Sequence, residues 1–239
     1  MEPDKASGQT EEKEGKVSDA LRQMIDLGAA EVKSSSGTVH ILTIVGQIEG
    51  HQVLPENTKA TKYEHILPLL AAVEENEEID GLLILLNTVG GDIEAGLAIA
   101  ELVAGMKKPT VSLVLGGGHS IGVPLAVSAK VSMIAPSASM TIHPVRVNGM
   151  VIAAPQTVRY FQRIQERIVA FVGKNSHMAE EKFRQLMFST DEMAADLGSI
   201  LYGSEAVQLG LIDRLGTLSD ALECLHGMIA QRKENTAQP

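Results

Sequence analysis

Short continuous apolar runs alternate along the chain with stretches whose apolar residues recur every three or four positions. Such runs are typical of strands buried on both faces of a parallel sheet, and the three-to-four spacing is typical of helices. The predicted strands are 38–45, 80–87, 110–115, 130–135, 139–142 and 149–153, and the predicted helices are 63–75, 92–106, 120–129, 155–172, 178–188 and 218–232. This alternation predicts right-handed βαβ units, so the predicted fold class is α/β with a parallel sheet.

Both ends of the chain are polar. Residues 1–16 hold acids and lysines with almost nothing apolar to offset the entropy of ordering, so they are predicted to be disordered. Residues 18–28 have the pattern of a short amphipathic helix, and the Ser-Ser-Ser-Gly stretch at 34–37 is interpreted as a linker. The predicted organisation is a polar tail with a short helix over 1–36, one α/β domain over 37–232 and a C-terminal tail over 233–239.

Composition narrows the class of protein. A chain of 239 residues with 44% hydrophobic content can bury a core of its own. The formal charge of −10, without clusters of Lys and Arg, argues against a nucleic-acid partner. A single cysteine, Cys224, excludes an intrachain disulfide, and the first residues lack the pattern of a signal peptide, so a cytoplasmic location is predicted. No apolar run reaches the roughly 18 residues needed to span a bilayer, so direct membrane insertion is not expected.

The histidines and glycines give no sign of a bound group. Six of the seven histidines form no metal-ligand spacing, and the triple glycine at 116–118 is not followed by the Gly-Lys-Ser or Gly-Lys-Thr of a P-loop. We therefore expect no metal, no cofactor and no ATP hydrolysis by the chain itself.

One serine stands at the junction between a predicted strand and a predicted helix. Strand 110–115 runs into three glycines, and the next helix begins at Ser120, within the spacing Gly118-x-Ser120-x-Gly122. This spacing is typical of a nucleophile elbow, in which glycines remove steric bulk from a strained turn and the next N–H faces the developing oxyanion. The same residues are compatible with a tight turn in which Ser120 caps the helix.

A histidine and two glycines end neighbouring predicted strands. His143 follows strand 139–142, and Gly90 and Gly91 follow strand 80–87. Because parallel strands end at a common edge of a sheet, we expect these residues to meet Ser120 there. An imidazole can take the serine proton, a carboxylate can fix its tautomer, and a glycine backbone can supply an oxyanion donor. For His119, next to Ser120, the alternatives are a residue that lines the site and a solvated turn residue, and the solvated turn residue is the expectation.

Four ordered motifs resemble those of the ClpP serine peptidases. They are Asn87-Thr-Val-Gly-Gly-Asp-Ile-Glu-Ala-Gly-Leu-Ala-Ile99, Gly118-His-Ser-Ile-Gly122, Met140-Thr-Ile-His-Pro144 and Glu205-Ala-Val-Gln-Leu-Gly-Leu-Ile-Asp213. The resemblance covers about residues 37–222, and the long N-terminal tail is most similar to the translocation-enhancing branch found in bacilli. It implies the repeated βαβ units shared by ClpP and crotonases, with the helix from Pro155 as the handle between stacked rings. Packing of that helix in the core is the alternative.

The resemblance also implies roles for single residues and for partners. By position it implies Ser120 as the nucleophile, His143 as general base and acid, and the N–H groups of Gly91 and Ile121 as the oxyanion hole. It implies a homo-oligomeric ring that acts on peptides or unfolded proteins, with an ATP-driven unfoldase as a candidate partner.

The acid is where the chain departs from the family pattern. Counting back from Asp213, the family aspartate falls on Gly198. Asp196, two positions earlier, is the predicted acid, and Asp191 is the second choice. If neither reaches the histidine, the serine and histidine would act as a dyad.

The predicted function is peptide-bond hydrolysis through an acyl-enzyme at Ser120, with protein export or proteostasis as the candidate setting. Three alternatives stay open. An α/β-hydrolase esterase would use Ser120 with Asp196 or Asp213 and with His226. A crotonase-like hydratase would need a thioester cofactor and not the serine. A non-catalytic scaffold of the same fold would assist protein translocation without cleavage, and the displaced acid is its motivation.

Overall fold

The described part of the chain, residues 29–146, 154–190 and 197–237 of a computed structural model, contains nine strands and seven helices. The strands are β1 (Ala29–Ser34), β2 (Gly37–Glu49), β3 (Ala60–Lys62), β4 (Gly81–Gly91), β5 (Thr110–Gly118), β6 (Val131–Ile134), β7 (Ser139–Ile142), β8 (Ser199–Tyr202) and β9 (Arg214–Leu215). The helices are α1 (Tyr63–Glu75), α2 (Ile93–Gly105), α3 (Gly122–Val127), α4 (Ala154–Asn175), α5 (Glu180–Met187), α6 (Gly203–Gln208) and α7 (Leu218–Ala237).

The main path through the sheet runs in the order β1-β2-β4-β5-β6-β9. Every neighbouring pair from β2 to β9 is parallel, as the alternating pattern predicted, and β3 adds a parallel strand beside β2. β7 leaves the main path: it pairs in parallel with β5 at Gly117↔Ser139 and antiparallel with β8. The predicted α/β class is therefore confirmed, and the end of β5 lies beside the end of β4 and beside the start of β7.

The stretch interpreted as a linker is the turn of a hairpin. β1 pairs antiparallel with β2, and the Ser34 hydroxyl donates to the Gly37 carbonyl across the turn, at 3.1 Å. β1 was not predicted because its six residues, Ala-Ala-Glu-Val-Lys-Ser, carry only a weak strand signal. The sheet thus reaches Ala29, upstream of the predicted boundary at 37. The predicted N-terminal tail, the helix at 18–28 and the strand at 149–153 lie outside the described residues, whereas the C-terminal tail predicted from 233 is helical as far as Ala237, because α7 continues past the predicted end at 232.

The continuous apolar run of β4 is buried because helices cover the sheet on both faces. Leu82, Ile84 and Leu86 join the larger core cluster, to which α1, α2 and α3 also contribute. Leu83 points the other way and joins a smaller cluster with residues of α7 spaced four apart, namely Ala221, Leu225 and Ile229. Each fully buried leucine or isoleucine contributes roughly 1.5–3 kcal/mol, so the two faces together fix β4 at the centre of the sheet.

Helix α4 is held to the rest of the domain by its C-terminal half. Val169 and Val172 are fully buried, whereas Val158 and Tyr160 near its start are more than half exposed. The Arg167 guanidinium makes two hydrogen bonds, of 2.6 and 2.9 Å, to the Glu94 carboxylate on α2. The C-terminal half of α4 therefore packs in the core, whereas its N-terminal end exposes apolar side chains.

None of the described helices is both long and apolar enough to cross a lipid bilayer.

A histidine is buried in the sheet without hydrogen bonds. His40 on β2 is 5% exposed, and neither ring nitrogen has a hydrogen-bond partner among the described residues. The Glu31 carboxylate on β1 is 3.9 Å from Nδ1. Burial lowers the pKa of His40, and Glu31 offsets this in part. The folded state therefore favours the neutral imidazole.

Replacing this histidine should flatten the acid side of the stability profile. Below pH of about 6.5 the unfolded chain takes up a proton that the folded chain excludes, so wild-type stability falls as pH falls towards the lowered pKa. We expect His40→Leu to remove that slope, at most about 1.4 kcal/mol per pH unit, in urea titrations from pH 7.5 to 5. His65→Leu, on the exposed face of α1, is the control. Equal slopes for His40→Leu and wild type would contradict the assignment.

Candidate active site

Ser120 lies between β5 and α3 with a backbone φ of 58°, the only positive φ outside glycine in the described part of the chain. The left-handed conformation costs an L-residue roughly 1–2 kcal/mol, so neighbouring groups must hold it. The Ser120 N–H donates to the Thr141 carbonyl on β7 at 2.8 Å, and the His119 N–H donates to the Thr88 carbonyl on β4 at 3.1 Å. The predicted strand-to-helix turn is confirmed, although the helix is shorter than predicted.

Glycines surround this turn because side chains would not fit. A Cβ on Gly90, whose φ is 91°, would lie 2.8 Å from the Ser120 Cβ and 2.9 Å from the His119 carbonyl oxygen. A Cβ on Gly122 would lie 2.7 Å from a methyl group of Thr88. Real side chains do not approach so closely, so glycine at positions 90 and 122 is a steric requirement of the elbow, whereas a Cβ on Gly118 would lie 3.3 Å or more from its neighbours.

Ser120 and His143 line the same cavity, which has a volume of about 160 Å³. Its other lining residues are Gly91, Ile93, Ile121, Val123, Ile142, Pro144, Val145, Arg146, Ile168, Phe183 and Met187. Most of these side chains are aliphatic or aromatic. The space beside the serine can therefore accept an apolar group, with His143 and one arginine as its charged or titratable members.

The tautomer of His143 follows from its neighbour. Its Nδ1 is 2.7 Å from the carbonyl oxygen of Pro144. A carbonyl can only accept, so Nδ1 carries the proton and Nε2 keeps the lone pair. A lone pair on Nε2, with Nδ1–H held by an acceptor, is the state that a general base of a serine hydrolase needs.

The two oxyanion candidates lie on either side of the serine. Gly91 ends β4 with a φ of 152°, and a Cβ there would overlap the main chain of Ile48. Ile121 precedes α3 and is buried. The N–H groups of the two residues after Ile121 are used within the turn, by the carbonyls of His119 and Ser120. The structure thus brings Ser120, His143, Gly91 and Ile121 to one cavity, and their catalytic roles stay predictions.

The predicted acids Asp196 and Asp191 lie outside the described residues. The structure does describe Gly198, the position to which the family resemblance assigns the aspartate. β7 and β8 pair at Ile142↔Ser199, so Gly198 follows the register to a place beside His143. Gly198 has a φ of 139° and offers no side chain. The family position of the acid is therefore next to the histidine but empty of a carboxylate.

The expectation that His119 is a solvated turn residue is wrong. The ring is half-buried, packs over Gly117, and has its Nδ1 2.8 Å from the Thr141 hydroxyl. Burial lowers the pKa of His119, and the nearby His143 lowers it further. Thr141 was not singled out, although the period of two along β7 puts Thr141 and His143 on one face, opposite the buried Met140. That alternation is the signal that could have found it.

The residues of the α/β-hydrolase alternative lie elsewhere. Asp213 accepts hydrogen bonds from the Ser132 N–H and hydroxyl, at 2.8 and 2.9 Å, and lies 3.3 Å from His177. His226 is on α7, which packs on the sheet face opposite to α3. Neither Asp213 nor His226 is among the described residues that line the Ser120 cavity. The geometry argues against an esterase of that type.

Comparison with known proteins agrees with this fold and this elbow. A model of the Clp protease family matches residues 36–218. The match covers most of the chain, so the chain belongs to the Clp protease family, which supports a peptidase in general over a crotonase-like hydratase. The chain is also similar to the translocation-enhancing protein TepA of Halalkalibacterium halodurans, with 54% identity over 221 residues that cover 92% of this chain and 86% of that protein. The predicted resemblance, including the translocation-enhancing branch, is confirmed.

The strained backbone at Ser120 predicts an unusual order of stability. Glycine adopts a φ of 58° freely, whereas alanine keeps the strain, so we expect Ser120→Gly to be more stable than Ser120→Ala by about 0.5–1 kcal/mol in urea unfolding. Ser128, which ends α3 in the right-handed region at φ −76°, is the matched control, and alanine should be the more stable replacement there. The same order at both serines would show that the elbow is not strained.

Proposed function

We propose that this chain is a serine endopeptidase of the Clp protease family, with Ser120 as nucleophile and His143 as general base. The observation that carries the proposal is the pairing of a left-handed serine with a histidine of suitable tautomer in one cavity. A serine hydroxyl is a weak nucleophile by itself, so a base within reach is the minimum that the chemistry needs.

The reaction would proceed in two halves. The Ser120 oxygen attacks the peptide carbonyl while its proton passes to Nε2 of His143, and the N–H groups of Gly91 and Ile121 bind the oxyanion of the tetrahedral intermediate. The intermediate collapses to an acyl-enzyme, and His143 gives the proton to the leaving amine. A water molecule then attacks the ester, again losing its proton to His143, and the carboxylic acid product leaves with Ser120 restored.

We propose Asp196 as the acid that supports His143, with Asp191 as the second candidate. The main-chain hydrogen bond from the Gly198 N–H to the Ser189 carbonyl, 2.8 Å, joins the two sides of the segment that contains both acids. In the sequence both acids are two positions from one end of that hydrogen bond, Asp196 from Gly198 and Asp191 from Ser189, and two residues of extended chain span at most about 7 Å. Since Gly198 lies beside His143 in the β7–β8 register, a carboxylate from either position is within covalent reach of the imidazole.

Ring assembly and a partner form the wider proposal. The exposed Val158 and Tyr160 at the start of α4 are apolar groups that a second ring could cover. Family membership and the name of the TepA relative support a role in protein export or proteostasis, and an ATP-driven unfoldase is the candidate partner. The cytoplasmic location stays a prediction from the sequence.

A non-catalytic scaffold that assists translocation is the second candidate. The observation that favours it is Gly198, which leaves the family position of the acid without a side chain. A scaffold would need the fold and its surfaces but not an activated serine.

Labelling with a fluorophosphonate probe tests the nucleophile. We expect wild type to be labelled, Ser120→Ala to be unlabelled, and His143→Ala to label roughly 10³–10⁴-fold more slowly. We expect Asp196→Asn to lose only about 10–100-fold, because the Pro144 carbonyl already holds the Nδ1 proton. Asp220→Asn, which removes a carboxylate that accepts hydrogen bonds from Thr217 at the start of α7, is the control and should label like wild type.

The outcomes of the labelling distinguish the peptidase from the scaffold, and Asp196 from Asp191 as the acid. Absence of wild-type labelling, with the protein shown to be folded and assembled, would favour the scaffold. A loss in Asp196→Asn as large as in His143→Ala would make the carboxylate indispensable. Unchanged labelling in Asp196→Asn together with loss in Asp191→Asn would transfer the acid to Asp191.

The apolar cavity predicts which peptides are cleaved fastest. We expect fluorogenic peptides with Leu, Met or Phe before the scissile bond to have a kcat/KM roughly 10–100-fold higher than the same peptides with Ala, because each buried methylene contributes about 0.8 kcal/mol. Asp at that position should be cleaved more slowly than Leu, because its carboxylate would lose water against the walls formed by Ile93, Phe183 and Met187, where Arg146 is the one cationic side chain of the described lining. Equal rates for Leu and Asp would contradict this use of the cavity.

A further inference from the structure

The side chains of His119 and Thr141 join the elbow to the strand that carries His143. His119 Nδ1 and the Thr141 hydroxyl are 2.8 Å apart, a full hydrogen bond between groups that are both half-buried. One residue on, the Ser120 N–H donates to the carbonyl of the same threonine at 2.8 Å. Two consecutive elbow residues are thus bound to one residue of β7, through its side chain and through its main chain.

These two hydrogen bonds to Thr141 matter because the residues they join are close in the chain to both proposed catalytic residues. Thr141 precedes His143 by two residues, so in an extended strand their side chains leave on the same face. On the elbow side, His119 directly precedes Ser120. The bridge therefore connects the residue that precedes Ser120 to the strand that leads into His143.

The surroundings favour a defined ring position for His119. A Cβ on Gly117 would overlap the Nε2 edge of its imidazole, so the ring packs against the main chain of β5 at a position that only glycine leaves open. Its own N–H is bound to the Thr88 carbonyl, and its carbonyl accepts the Gly122 N–H. The hydrogen bond to the Thr141 hydroxyl adds a second link between the elbow and β7, beside the one from the Ser120 N–H, and so further restricts a tilt of the elbow away from β7.

We propose that His119 and Thr141 are positioning residues, whose side-chain hydrogen bond sets the orientation of the Ser120 nucleophile toward His143. The inference rests on the proposed serine peptidase function. It gives a role to His119, which directly precedes the nucleophile, and to Thr141, which shares a hydrogen bond with His119. Burial and the neighbouring His143 lower the pKa of His119, so its ring stays neutral and does not repel the imidazolium that forms on His143 during the reaction.

Thr141→Val tests the bridge, since valine keeps the shape and the β-branch but removes the hydroxyl. Fluorophosphonate labelling is measured over probe concentration, which separates the inactivation rate from the affinity for the probe. We expect the inactivation rate to fall about 5–50-fold with affinity within twofold, because a tilt of the nucleophile affects the chemical step and not probe binding. Thr141→Ser restores a hydroxyl and should return to within about threefold of wild type.

Thr61→Val is the matched control. The Thr61 hydroxyl makes two hydrogen bonds of 2.9 Å to the main chain of Val45, between β2 and β3 and away from the Ser120 cavity. Its loss should lower thermal stability at least as much as Thr141→Val and leave the inactivation rate unchanged. A similar drop in rate in both variants would mean that lost stability, not lost orientation, is the cause, and would overturn the proposal.

A second pair of variants probes the bridge from the elbow. His119→Asn keeps a polar atom near the position of Nδ1, and His119→Leu does not, so we expect the asparagine variant to be labelled at least fivefold faster than the leucine variant. Equal rates for the two, or a wild-type rate in Thr141→Val, would overturn the positioning role while leaving the peptidase intact. Absence of labelling in wild type would instead overturn the proposed function, and the inference with it.

Discussion

The hydrogen bond from the Ser120 N–H to the Thr141 carbonyl is the interaction on which the geometry of the site depends. Ser120 has a backbone conformation that costs an L-residue free energy, and an isolated loop would relax out of it. The bond anchors that conformation to β7, the strand that ends at His143. The strain at the serine is therefore balanced by the sheet, and the sheet in turn fixes which histidine the serine meets.

The glycines make this arrangement possible. Gly90 and Gly122 allow β4 and α3 to approach the elbow closely enough for Ser120 and Gly91 to line one cavity. The parallel pairing also contributes, since the end of β5 lies beside the end of β4 and the start of β7, and these strands or the residues that follow them provide Gly91, Ser120 and His143. The apolar walls come from several elements, with Ile93 from α2, Ile168 from α4 and Phe183 and Met187 from α5, so helices complete a site whose chemical groups lie at or after the ends of strands.

Two features of the structure bear on the state of His143: its hydrogen bond to the Pro144 carbonyl, and the residue that the β7–β8 register places beside it. The Pro144 carbonyl holds Nδ1–H within the same chain segment, and the register of β7 with β8 leaves Gly198 where the family pattern has its aspartate. A neutral carbonyl fixes the tautomer but stabilises an imidazolium less than a carboxylate does. An acid from a position near Gly198 would supply that charge, which gives the proposed role of Asp196 its physical reason. The bridge from His119 to Thr141 orients the other reacting group, the serine.

Much of the fold and part of the site follow from local patterns in the sequence. The bounds of α1 were predicted to the residue, and the cores of β4 and β5 were found, because continuous apolar runs and three-to-four periods report burial directly. β1 was missed, since a short edge strand is stabilised by its pairing with β2 and carries little signal of its own. The pattern around Ser120 predicted a strained turn because only glycines can surround one.

The sequence by itself determined the α/β class, the glycine-lined elbow at Ser120 and the edge of the sheet at which His143 joins it. Tertiary structure alone decided the tautomer of His143, the place of Gly198 beside it, and the bond between His119 and Thr141. The reason is physical: burial and backbone conformation leave periodic traces in a sequence, whereas these features depend on strand register and on the orientation of a side-chain ring, which no local pattern records even where the partner is the next residue, as Pro144 is for His143.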